Sequence, residues 1–116
     1  MAATQAPVYR LRHILDEAQA IKNTTHNLSF EKFRDTWVIH RAVEHGLLII
    51  TEASKTLPAE LKETQPAIPW AQIESFGNLL RHEYRDVDPE FLWRIIHEDL
   101  PQLAAAAQQM LTKLGR

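Results

Sequence analysis

The sequence predicts an all-α protein, an elongated bundle of four to five helices, and three observations carry that reading. Three glycines in 116 residues leave little material for hairpin turns. No stretch alternates polar and apolar residues for long, whereas apolar positions recur at steps of three and four through most of the chain. The length of 116 residues, with 45% apolar and 24% charged positions, fits one globular domain over residues 1–116. Its radius of gyration would be about 13 Å if compact.

The elements follow in order. Residues 1–7 read as a flexible lead. From Val8, the positions Leu11, Ile14, Leu15, Ala18 and Ile21 make one buried stripe, the first helix. Ser29 is placed to accept from free backbone amides, with Glu31 in the positive first turn, so a second helix starts at Phe30 and runs unbroken to about Thr56. At 1.5 Å per residue that is roughly 40 Å, which requires an elongated bundle. Phe30, Phe33 and Trp37 mark one face, and Val38, Ala42, Leu48 and Ile49 an adjoining one; this is more apolar surface than one neighbour needs and suggests a dimer interface. Residues 57–69 hold three of the six prolines and read as a loop. Pro69 then opens a helix with Trp70, Ile73, Phe76, Leu80 and Tyr84 at helical spacing, and Asp88-Pro89 opens another with Phe91, Leu92, Ile95 and Ile96. Pro101 interrupts, and Leu103 to Leu114 continue as a final helix or a kinked extension.

Composition excludes several classes of function. A formal charge of −2 gives no bulk field for a polyanion, so nucleic acid needs a local patch. The absence of cysteine removes disulfides, thiolate metal sites and cysteine nucleophiles, and fits a reducing compartment. The longest apolar run, Gly46 to Ile50, is too short to span a bilayer, and the first ten residues lack the pattern of a signal peptide, so the expectation is a cytoplasmic protein with no membrane contact.

Six histidines invite a metal reading. His40 and Glu44 share a helical face, but His45 lies about 140° round from His40 and no HExxH motif completes a set, so no metal and no cofactor is expected. His13, His26 and His97 read as solvated side chains. The dense polar segment is Gly77 to Arg85 (GNLLRHEYR). On a helix Asn78 and His82 lie one turn apart on one face, flanked by Arg81 and Arg85, with Tyr84 nearby. A group titrating near neutrality, a cation and an orienting amide are the parts that phosphodiester cleavage uses; a solvated helical face with a structural histidine is the alternative.

Residues 68–103 resemble the HepT-like branch of the HEPN superfamily. The matching positions are Ile68-Pro69-Trp70, Asn78, His82, Tyr84, Val87-Asp88, Trp93 and Asp99-Leu100-Pro101, with Phe33-Arg34-Asp35 and His40 to Glu44 upstream. The resemblance implies a dimerising all-α bundle. It also implies a metal-independent endoribonuclease toxin acting on RNA, and a minimal nucleotidyltransferase antitoxin as partner. The family's catalytic motif is an arginine, a following polar residue and a histidine five places after the arginine. Here that histidine is His82 and the arginine's position holds Gly77. The family's modified tyrosine, two residues after the histidine, corresponds to Tyr84, where the partner attaches AMP; a nucleotide there would block RNA by bulk and charge. The alternative for Tyr84 is a core ring continuing the Trp70 stripe.

Helical side chains lean toward the N-terminus, so Arg81, one turn after Gly77, is expected to extend over the space that Gly77 leaves. In that arrangement His82 is the general acid or base, Arg81 steadies the phosphate, Asn78 orients the site and Arg85 adds to the RNA-binding patch. Gly77→Leu should then stabilise the helix and abolish activity. The competing reading is a catalytically degenerate helical partner that only binds the nucleotidyltransferase and is modified by it.

Overall fold

A computed structural model describes residues 2–82 and 87–115, the first four of these by backbone alone. The first helix, α1 (Ala2–Thr25), begins well ahead of Val8 and carries Pro7 inside it. It buries Leu11, Ile14, Ala18 and Ile21, the expected stripe.

The second helix differs from expectation. It is broken at Thr36, whose backbone is extended (φ −104°, ψ 97°), into α2 (Phe30–Asp35) and α3 (Trp37–Lys55). Ser29 caps α2 as expected, accepting from the Lys32 amide at 3.1 Å. Aromatic rings pack around the break. Turning α2 away from α3 lays Phe33, fully buried, against the ring of Trp93 at 5.2 Å and that of His40 at 5.4 Å, while Phe30 meets Trp93 at 5.9 Å. Thr36 closes both ends through its backbone, donating to Lys32 O and accepting from the His40 amide. On the exposed side of α2, Arg34 donates to both carboxylate oxygens of Asp35, and that hydrogen bonding holds the Asp35 carboxyl below its ordinary range.

The proline-rich connection contains a short helix, α4 (Ala59–Lys62). Trp70, at the start of α5 (Trp70–His82), ties it down by donating its indole N–H toward Lys62 O and Gln65 O, each at 3.1 Å. Asp88 and Pro89 open α6 (Pro89–Arg94) as expected, the Asp88 carboxylate accepting from the Glu90 amide at 3.0 Å. Pro101 does not end the helix. A π turn at Ile95–Asp99, in which Leu100 N–H reaches Ile95 O, widens the helix just before the proline, and α7 (Leu100–Lys113) carries Pro101 in its first turn.

The described residues thus form seven α-helical segments and one π turn, within an all-α fold. Helix α3 is the centre, packed against α1, α5 and α2, while α1 also packs against α7. The molecule measures 44 × 28 × 24 Å with a radius of gyration of 14.2 Å, the elongated shape expected. Trp37 and Val38 stand 69% and 66% exposed at the start of α3, so Trp37 is not part of the buried face that Phe30 and Phe33 form. Among the described residues no helix is long and apolar enough to cross a membrane.

Candidate functional site

Helix α5 positions the polar segment. Its buried side is made by Gly77 and Leu80, with Ile73 and Phe76 packed at the edge of the core. Gly77 lies close against α3: a Cβ there would lie 2.7 Å from Thr51 Oγ1 and 2.9 Å from Thr51 Cβ. Thr51 has little freedom to give way, because it is buried and its hydroxyl donates to Leu48 O at 2.9 Å. The glycine inside α5 therefore has a packing reason, and the space beside it is occupied. Arg81 does not cross that space as the sequence suggested.

Arg81 leans back along α5, as helical side chains do, but onto its flank. Its Nη2 donates to Asn78 Oδ1 and its Nη1 to Glu52 Oε2, the latter also an ion pair with α3. Side-chain exposures of 29% for Arg81 and 49% for Glu52 place the pair at the surface, where such a contact adds about 1 kcal/mol or less to stability. Its effect is on geometry. Asn78 and His82 are both exposed, one turn apart on the outer side of α5. The structure thus brings Asn78 and Arg81 into contact and sets His82 beside them at the end of the helix. Tyr84 and Arg85 lie outside the described residues.

Glu52 was not singled out by sequence reasoning, and neither was Thr51. Both meet α5 across a tertiary interface, and a single sequence carries no signal of which α3 residue faces which α5 residue. His40 and Glu44 do share a face: His40 Nδ1 is 3.7 Å from Glu44 Oε2, and Arg41 Nη1 donates to Glu44 Oε1 at 2.7 Å. Among the described residues no group of three or more His, Asp or Glu side chains is arranged to hold a metal ion.

Residues 14–110, nearly the whole bundle, match the ribonuclease HepT-like family. The chain belongs to that family. Among similar curated proteins is "Putative RNase TTE0752" of Caldanaerobacter subterraneus subsp. tengcongensis, 35% identical over 103 residues that cover 89% of this chain and 92% of the relative. "Probable ribonuclease HepT" of Thermococcus cleftensis is 33% identical over 100 residues, covering 86% and 91%. "Putative RNase MJ1380" of Methanocaldococcus jannaschii is 32% identical over 93 residues, covering 80% and 85%. No solved structure matches the chain significantly. The HepT-like match covers α5 in full, so the Asn78, Arg81 and His82 constellation lies inside the region that defines the family assignment.

Proposed function

We propose that this HepT-like chain is a metal-independent endoribonuclease toxin, active as a homodimer and neutralised by a minimal nucleotidyltransferase antitoxin that binds it and attaches AMP to Tyr84. The observation that carries the reading is the outer face of α5, where Arg81 is docked on Asn78 next to exposed His82. Cleavage uses the 2′-hydroxyl of the RNA as nucleophile. His82 removes the 2′ proton as the oxygen attacks phosphorus, or returns a proton to the departing 5′-oxygen, and two His82 side chains across a dimer cleft divide these roles. Arg81 offers a guanidinium to the charge that builds on the non-bridging oxygens, and Asn78 donates an amide N–H to the same group. The products are a 2′,3′-cyclic phosphate and a 5′-hydroxyl.

The Gly77 contact favours a second reading. With Thr51 packed on it, position 77 has no room for the family's arginine, which fits a degenerate partner protein kept for binding the nucleotidyltransferase. One experiment separates the two: single-stranded RNA incubated with the purified chain in excess chelator, with product ends identified. Cyclic phosphate ends that vanish in His82→Ala support the toxin. Intact RNA with wild-type protein supports the inert partner.

A further inference from the structure

We infer that Glu52 is the positioning residue of the α5 site, its carboxylate holding the Arg81 guanidinium against Asn78 in the orientation that meets an RNA phosphate. This rests on the ribonuclease reading above and adds to it a residue on a different helix.

The geometry begins with two adjacent residues of α3 that meet two residues of α5 one turn apart. Thr51 lies on Gly77, where no Cβ keeps the helices separate, and this close approach is what lets Glu52 reach Arg81. A free arginine has four rotatable bonds and a large conformational entropy, so a phosphate that captured it from solution would first have to order it. Here the guanidinium is anchored at two nitrogens. Nη1 donates to Glu52 Oε2 and Nη2 to Asn78 Oδ1, which fixes the plane of the group as well as its location. Each anchor uses one of the five N–H groups, and among the described residues no other acceptor engages the remaining three.

The chain of donors also has a direction. Because the Asn78 carbonyl oxygen accepts from Arg81, the NH2 of this exposed side chain is left as a donor. Asn78 and Arg81 then both offer N–H donors, as recognition of a phosphate requires. Glu52 sets that polarity from the far side.

A bare surface carboxylate would act in the opposite sense. It would repel RNA, so its removal would speed cleavage or tighten binding. The two roles therefore differ in sign, and Glu52 is exposed enough for substitution to leave the core intact.

The test uses the full-length chain as wild type, Glu52→Ala and Glu52→Gln, with two readouts: chelator-resistant cleavage of a single-stranded RNA oligonucleotide, and the side-chain NMR resonances of the Arg81 guanidinium. Wild type and Glu52→Gln should show a restrained guanidinium, since the glutamine oxygen still accepts the Nη1 proton. Glu52→Ala should show one that rotates freely. In cleavage, Glu52→Ala should lose about 100-fold in kcat with KM within about twofold, the size of effect that a displaced catalytic group produces, and Glu52→Gln should stay within about tenfold of wild type. A guanidinium equally restrained in Glu52→Ala, or a Glu52→Ala protein that cleaves as fast as wild type or faster, overturns the inference. If wild type cleaves no RNA while Glu52→Ala releases Arg81, the hold of Glu52 on Arg81 stands and the ribonuclease reading falls.

Discussion

Gly77 shows how one atom decides the character of a site. Glycine in a helix costs about 1 kcal/mol relative to alanine, so Gly77 inside α5 calls for a packing or site reason. Its partner was out of reach of that argument, since Thr51 meets it only through the fold. The expected gain from Gly77→Leu is therefore reversed. Gly77→Ala already forces a Cβ onto a hydrogen-bonded Thr51, an overpacking that costs about 1–3 kcal/mol against the roughly 1 kcal/mol of helix propensity recovered, and Gly77→Leu costs more. Thermal melts should show both variants below wild type, with Thr51→Gly relieving the clash in Gly77→Ala; additive effects in that double-mutant cycle would contradict the contact. The same geometry predicts that Gly77→Arg alone fails to place an arginine beside His82, and that Thr51→Gly together with Gly77→Arg succeeds where the single change does not. At Arg81, lysine should fail nearly as badly as alanine in RNA cleavage, because an ammonium cannot bridge Glu52, Asn78 and a phosphate in one plane. Full activity in Arg81→Lys would make Arg81 a surface charge.

Among the elements, those with chemical punctuation were legible and those shaped by neighbours were not. Ser29, Asp88-Pro89 and the Trp70 to Leu80 stripe gave the starts of α2, α6 and α5 because capping and periodicity are local. The break at Thr36 carries no glycine or proline, and beside it Phe33 packs on Trp93, a contact between distant parts of the chain. Phe33→Ala should accordingly cost about 3–5 kcal/mol, the usual range for a fully buried phenylalanine, and should raise amide exchange in α2 before the rest of the bundle. Uniform exchange across α2 and α1 in that variant would show that the break is set by Thr36 itself. Pro101 marked a discontinuity correctly, but the helix absorbs it with a π turn instead of ending. The Gly77 to Arg85 segment was legible as a candidate because its polar residues are contiguous. Glu52, which binds Arg81, comes from α3 and was not.

At the scale of the molecule, an elongated bundle with a net charge of −2 holds RNA only where basic groups are gathered, and one α5 face supplies about one turn of them. A homodimer that pairs two such faces over a shared cleft is the arrangement we propose, and light scattering at micromolar concentration should return twice the chain mass of 13.4 kDa. A monomer would remove the shared cleft and with it the division of acid and base between two His82 side chains. The account stands most directly on His82, an exposed residue whose loss leaves the core untouched. The measurement is the rate of RNA cleavage by purified wild-type chain and by His82→Ala in the presence of chelator, with circular dichroism of both. The account predicts cleavage by wild type, a loss of about 100-fold to 10,000-fold in His82→Ala and superimposable helical spectra. Equal rates in the two proteins would contradict it.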